Sequence, residues 1–510
     1  MNRFDGRDVA PSLTEACLGQ QNDAARARRD PSAGVLRLPF TAVRFLGVAS
    51  LVAGLGTVAA CRESSSTAPA APYVATFHPL DSDGHVLRDA SGRTVILRGY
   101  NVKVQGLFDV TPDDGGAPHE TIPPLDGADF ALMQKSGVNV LRVPLSWSAF
   151  EPTPGAYQAS YLAAIDAFLD EVAPYGFFVL LDFHEDGWSK DLCEDGAPAW
   201  ATVVSAGTSD GGISGGDCHT SNAALSAHSS FFDDDVDQLQ EAFAAAWQQF
   251  AAHFVGNETV FGYEIFNEPV ASDPVVDAFS IKVAGAIRSV DPGHLVLWQP
   301  SSVRNLTNRA WVSSTPFPVA GGVYDVHITE DEFLFDDSIA SARTEADSWG
   351  EPLFVTEHVA NLANLDWIDN TLNGFDSNLA SSTYWIWAQG PCWEPINPPG
   401  VVTRDDAGAI QYLNDGGPYD HLTRPYAMAV GGDVDATTWD GTTLTIAFHD
   451  HPGVPSTHEV YWNLGQPAVA CDGAALAGVT QDPTRLVFNV ACGGGGAAHT
   501  LVFSTENAGG

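Results

Sequence analysis

Between residues 95 and 387 the chain carries eight short apolar runs, several of them apolar at consecutive positions and not at alternate ones. They are Val95 to Gly99, Val138 to Val143, Phe177 to Phe183, Val260 to Phe266, Leu295 to Trp298, Gly322 to Val326, Leu353 to Thr356 and Thr383 to Trp387. A strand with one wet face alternates apolar and polar residues, whereas a strand apolar on both faces is covered on both, as parallel strands under helices are. The segments between the runs supply such helices. Leu162, Ile165, Phe168, Leu169 and Val172 make one apolar stripe, and Leu239, Phe243, Trp247, Phe250 and Phe254 another. Eight strand–helix units predict closure into a (β/α)8 TIM barrel, an α/β fold, over residues 74–420.

From about His421 the helical period stops. Short β-rich runs follow (Thr443 to Phe448, His458 to Trp462, Arg485 to Val490, His499 to Phe503) between Gly, Pro and Asp turns, which predicts a small C-terminal β-sandwich over 421–510. At the other end, residues 1–61 read as an export region. An apolar run from Phe45 to Ala60 follows Arg44 and is too short and too rich in small residues for a membrane span. It ends Val58-Ala59-Ala60-Cys61, which resembles a bacterial lipobox with Cys61 as the lipidated residue; ordinary signal cleavage is the competing reading. The protein is therefore expected to be exported, as a cell-envelope lipoprotein or in secreted form. A flexible linker follows at 62–73.

Export makes disulfides available. Cys193 with Cys218 and Cys471 with Cys492 are candidate pairs, each flanking a local segment, and Cys392 has no evident mate. No Cys/His cluster has zinc spacing, so neither a metal nor a cofactor is expected. The net charge of -41, from 64 acidic against 23 basic residues, disfavours nucleic acid as a partner. A monomer is expected.

Two of the apolar runs end in a glutamate. Glu268 closes Ile265-Phe266-Asn267-Glu268-Pro269, and Glu357 closes Val355-Thr356-Glu357. Two carboxyl groups at strand ends are the minimum equipment for cleaving a glycosidic bond, one as acid and one as nucleophile or base. Glu264 shares the parity of Glu268 and is expected to pair with a barrel arginine.

The runs Asn139-Val140-Leu141-Arg142-Val143-Pro144, Leu181-Asp182-Phe183-His184, Ile265-Phe266-Asn267-Glu268-Pro269, Val326-His327 and Val355-Thr356-Glu357 occur in the order found in glycoside hydrolase family 5, of clan A. The chain resembles the endoglycoceramidases of that family over roughly residues 75–505. The cues are Arg98-Gly99-Tyr100-Asn101, the element His184-Glu185-Asp186-Gly187-Trp188-Ser189, and Arg424-Pro425-Tyr426 before the sandwich.

The resemblance implies retaining cleavage of the β-glycosidic bond between a glycan and ceramide, with a glycolipid or oligosaccharide as substrate. Glu268 would be the acid/base and Glu357 the nucleophile, held ionised by Arg142. Asn267 would bond the sugar 2-hydroxyl. His184 and His327 would line the site, Asp186 would take a sugar hydroxyl, and Lys103 is a further candidate. Trp385 and Trp387 share a face if the strand alternation continues, and Trp387, nearer the end, is the expected sugar platform. The family usually has His-x-Tyr after the sixth strand, where this chain has His327-Ile328-Thr329, and Glu185 stands where the relatives have Gln. Two other readings stay open: a β-glucanase acting on polysaccharide, and an inactive carbohydrate-binding lipoprotein. The insertions at Thr111 to Pro124 and Cys193 to Ser230 are the loops available to build the walls of a cleft.

Overall fold

Each of the eight apolar runs overlaps one strand of a closed parallel barrel. The computed structural model describes residues 80–505, apart from 209–217, 220, 234, 308–318, 329–334, 360–363, 389–399, 405–409, 413–416 and 478. The strands are β1 (Arg98–Asn101), β2 (Val140–Leu145), β3 (Phe178–Phe183), β4 (Val260–Glu264), β5 (Leu295–Trp298), β6 (Gly322–Ile328), β7 (Leu353–His358) and β8 (Ser381–Tyr384). Consecutive strands pair in parallel, and β8 closes on β1 through Ser382 opposite Arg98. Gly99 is required where β1 meets β2, because a Cβ there would lie 1.7 Å from the carbonyl oxygen of Val140.

The helical stripes do what their period implies. Ile165, Phe168, Leu169 and Val172 are buried on the helix Ala159–Val172, and Phe243, Trp247, Phe250 and Phe254 on Leu239–Phe254. They join the apolar layer between helices and barrel, alongside the outward strand residues Leu141, Val143, Val179 and Leu181. A second apolar cluster takes strand residues such as Val140, Phe178, Leu180, Leu295, Val323 and Phe354 together with Leu80, Leu87, Val95 and Ala429. Apolar packing thus fills the end where the strands begin. The opposite rim is left to polar side chains.

One expected boundary changes. The strands Asp81–Asp83, Val86–Arg88 and Thr94–Val95 do not belong to the barrel; they form one edge of a seven-stranded antiparallel sheet, pairing with Tyr426–Val430. A five-stranded antiparallel sheet faces it, and the two enclose Val430, Leu444, Ile446, Phe448, Val460, Trp462, Phe488 and Phe503. The sandwich is therefore built from both ends of the described chain, and the run starting at Val95 is split between two sheets. Both expected disulfides are present, Cys193–Cys218 and Cys471–Cys492. Cys61, Cys392 and Thr329, with residues 1–73, lie outside the described residues. No helix among the described residues is long and apolar enough to cross a membrane.

Sandwich and barrel share a polar joint. Arg98 of β1 and Arg424 both bond the buried carboxylate of Asp376, Arg424 at 2.5 Å. Tyr426 and Tyr461 donate to the carbonyls of Gly137 and Lys135, each at 2.8 Å. Asp376→Ala would leave two buried guanidinium groups without their carboxylate, a loss of about 3–5 kcal/mol. Urea unfolding should show a single transition at lower denaturant; an unchanged midpoint, or separate transitions for the two parts, would contradict this coupling.

Candidate active site

Every motif that ends a strand delivers its polar side chain to the same rim, the C-terminal one, as parallel barrels do. At its centre is Arg142 of β2, fully buried. Its Nε and Nη2 donate to the two oxygens of Glu264 at 2.6 Å each. Nη2 also reaches Asp182 Oδ2 and Asn267 Oδ1, both at 2.9 Å. Nη1 donates to Asn101 Oδ1 at 2.8 Å and to Glu357 Oε1 at 2.5 Å. Glu264 is thus the arginine's bidentate partner, as its parity suggested. Burial alone would lower the arginine's pKa, but Asp182, Glu264 and Glu357 outweigh that and hold it well above its usual value.

Glu357 owes its placement to a slip in strand register. Val355 of β7 lies opposite Val326, yet Glu357 lies opposite His327, so Thr356 is an extra residue. Its hydroxyl donates to Asp325 Oδ1 at 2.6 Å, and its carbonyl accepts from Asn101 Nδ2 at 2.9 Å. Glu268 is held differently. It follows β4 with φ of 47°, a left-handed conformation uncommon outside glycine, and its N–H donates to Gln299 Oε1 at 3.2 Å.

His327 joins the two glutamates. Gln299 Nε2 donates to His327 Nε2 at 2.9 Å, which leaves the ring proton on Nδ1. That Nδ1 donates to Glu268 Oε1 at 2.8 Å and lies 3.7 Å from Glu357 Oε2. Burial lowers the pKa of His327, so the ring is a neutral donor. Burial also pushes up both glutamates, Glu357 to about 7 against the opposing pull of His327 and Arg142, and Glu268 against His219 and Arg142. Only Glu357 has a direct bond to the arginine. That bond favours the charged form of Glu357, and nothing equivalent among the described residues favours the charged form of Glu268.

A second group of expected residues forms the adjoining wall. Trp385 stacks on His184, with centroids 5.4 Å apart and planes within 8°. His184 Nδ1 bonds Asp182 Oδ2 at 2.8 Å, and burial lowers its pKa to about 3. Lys103 Nζ lies 5.1 Å from the centroid of Trp385 and bonds Glu120 and Glu194, the latter at 2.7 Å. Asp186 lies 3.4 Å from His219 Nε2.

Trp387 is not at this wall. It is fully buried, donates Nε1 to Asp129 Oδ1 at 3.0 Å and packs on Tyr100. The strand ends at Tyr384, so the alternation expected to carry both tryptophans to one face does not extend to them. Trp385 holds the place expected of Trp387.

Gln299, Asp325, Asn101 and Asp182 complete the site without having been singled out. Asn101 and Asp182 lie inside the motifs that carry the family resemblance, and Gln299 carried a signal as a polar residue directly after the apolar β5. Glu120, Glu194 and His219 come from the two long insertions, and nothing in their spacing shows that they meet at Lys103.

This fold and site define a class, the barrel glycoside hydrolases. The chain belongs to glycosyl hydrolase family 5, described as Cellulase, which matches residues 89–390. It is similar to an endoglycoceramidase of Cyanea nozakii, 27% identical over 258 residues that make up 42% of this chain and 49% of that protein. The chain thus spans about half the length of that relative. It is also similar to endoglycoceramidase I of Rhodococcus hoagii (strain 103S), at 24% identity over 471 residues, 84% of this chain and 89% of the relative. Among solved structures, an endogalactoceramidase shares the fold, with a TM-score of 0.72, 24% identity and coverage of 84% of this chain and 100% of the other.

Buried carboxyls around the site give the protein a distinctive pH response. Glu185 and Asp195 are fully buried, no oxygen of either has a hydrogen-bond partner, and burial raises both well above the carboxylate range. Burial likewise raises Asp182 to about 7 and Glu351 to about 8. In the unfolded chain such groups lose their protons near pH 4. Between that pH and their folded values the native state binds more protons, so stability falls as pH rises. Below about pH 4 the trend reverses, because Glu194 is held down by Lys103 and His219 against burial, and Asp433 by Arg88 and His451. The buried histidines, His184 lowered to about 3 and His228 to about 4, oppose the fall with rising pH up to about pH 6.5, above which they are neutral in both states, so the unfolding midpoint should decline from about pH 6.5 toward pH 8. Glu185→Gln should raise the midpoint at pH 7.5, by roughly 2–4 °C per kcal/mol gained, and leave it little changed at pH 4.5. A midpoint rising from about pH 6.5 to 8 would contradict the account.

Proposed function

We propose that the protein is a retaining glycoside hydrolase that cleaves the β-glycosidic bond between the glycan and the ceramide of glycosphingolipids. The observation that carries the retaining reading is the contact of one nitrogen, His327 Nδ1, with both glutamates, at 2.8 Å and 3.7 Å. The two carboxyl oxygens it touches are no farther apart than those distances laid end to end. That limit reaches only the bottom of the roughly 6.5–9.5 Å range of inverting pairs and includes the separation of about 5 Å used for retention.

In this reading the protonated Glu268 gives its proton to the glycosidic oxygen while the Glu357 carboxylate attacks the anomeric carbon. The C–O bond to the lipid breaks, ceramide leaves as its alcohol, and a glycosyl ester forms on Glu357. Glu268, now ionised, takes a proton from water as that water attacks the same carbon and frees Glu357. Arg142 holds Glu357 ionised for the first step and neutralises it again in the second. Asn267, fixed through its oxygen by Arg142, has its amide N–H groups to offer the sugar 2-hydroxyl. Trp385 offers a ring face to the CH groups of the sugar, and His184, whose Nδ1 is engaged by Asp182, offers Nε2.

The lipid part of the reading is supported by the names of the relatives. Incubation with glucosylceramide, lactosylceramide and soluble β-glucans should release glycan and free ceramide from the lipids, with the β-anomer appearing first by proton NMR. Release from glucans alone would transfer the protein to the polysaccharide reading, and an α-anomer as first product would reject retention.

A further inference from the structure

His219 lies one residue beyond Cys218, and Glu194 one residue beyond Cys193. The two cysteines are bonded across a sequence separation of 25, so the bridge sets the spacing of His219 and Glu194 directly, whatever path the intervening chain takes. On its other side His219 is two residues from Ser221, whose side chain accepts from Ala224 N at 3.1 Å and caps the helix Asn222–Phe232. The imidazole is thus anchored from both directions. Its Nε2 lies 3.1 Å from Glu194 Oε2 and 3.4 Å from Asp186 Oδ2. The other oxygen of Glu194 holds Lys103 at 2.7 Å, and Lys103 lies over the ring of Trp385. A line of contacts therefore runs from the disulfide through His219, Glu194 and Lys103 to the tryptophan of the sugar site.

We propose that His219, held in place by the Cys193–Cys218 bridge, is a positioning residue for substrate: it donates between Asp186 and Glu194 and so fixes Asp186 and Lys103 at the sugar-binding wall. Two carboxylates that face each other repel unless a donor stands between them, and an imidazolium is suited to the place. Charged groups facing His219 include Asp186 and Glu194. Lys103 and Glu120 lie one contact further, and Glu268 lies within reach of its field. A protonated His219 opposes the rise that burial imposes on Glu268. Losing that charge makes Glu268 a weaker acid. This second consequence rests on the acid role given to Glu268 above, whereas the positioning role does not.

The test compares His219→Gln, which keeps a donor without the charge, with His219→Ala and with the paired Cys193→Ser, Cys218→Ser variant. Substrates are lactosylceramide and a lactoside with a dinitrophenol leaving group, which departs without a proton. His219→Ala and the paired cysteine variant should raise KM about tenfold, the size of a lost hydrogen bond to a charged group. His219→Gln should keep KM within about twofold. All three should move the basic limb of kcat/KM for the lipid to higher pH. Unchanged KM in His219→Ala, with a lowered unfolding midpoint only, would overturn the positioning role and leave His219 a structural residue. Failure of the acid assignment has a separate signature. Glu268→Ala would then lose kcat/KM for both substrates equally, instead of sparing kcat/KM for the dinitrophenyl lactoside, and the KM comparison would still decide the role of His219.

Discussion

The buried guanidinium of Arg142 is the interaction on which the rest of the site depends. It rises from β2 and bonds Asn101 of β1, Asp182 of β3, Glu264 of β4, Asn267 just beyond β4 and Glu357 of β7. One side chain therefore ties five of the barrel strands at their catalytic ends. A buried positive charge is costly unless its donors are all used, and a rigid planar fork can use them all at once where a lysine would not. The arrangement is also self-limiting. Three carboxylates share one arginine, so the site holds more acid than base, and burial raises Asp182 and Glu357 against the arginine's pull.

One contact separates the two glutamates to which the proposed mechanism gives different roles. They share one chemistry, but only one is bonded to the arginine. His327, neutral and fixed in tautomer by Gln299, touches both without adding charge. In the proposed mechanism the proton belongs to Glu268 because the bond from Arg142 favours the charged form of Glu357. The same excess of acid recurs at the wall, where Lys103 serves Glu120 and Glu194, and His219 serves Glu194 and Asp186.

The barrel was legible because its strands are apolar on both faces and its helices carry one clean stripe each, patterns that survive without any knowledge of what pairs with what. The glutamates, Arg142, Asn267 and His327 were legible because each sits in or just beyond a strand, within a motif of the family that the chain resembles. Legibility failed where placement depends on long-range pairing or on a break in period. The strands at residues 81–95 join a sheet whose other members lie more than 300 residues later, and no local signal marks that choice. Trp387 was misplaced because strand alternation stops at Tyr384. The extra residue at Thr356 is visible only in the pairing of β7 with β6. Glu120, Glu194 and His219 meet at a lysine from loops whose composition suggests nothing more than solvent exposure.

The central claim is that Arg142 keeps Glu357 ionised as the nucleophile while Glu268 keeps the proton. A 2-deoxy-2-fluoro lactoside with a dinitrophenol leaving group tests it most directly, since the fluorine slows release of a glycosyl-enzyme far more than it hinders a good leaving group. Intact mass after incubation should show a single added glycosyl unit, and peptide mapping should place it on Glu357. An adduct on Glu268, or turnover with no adduct at any time, would contradict the account.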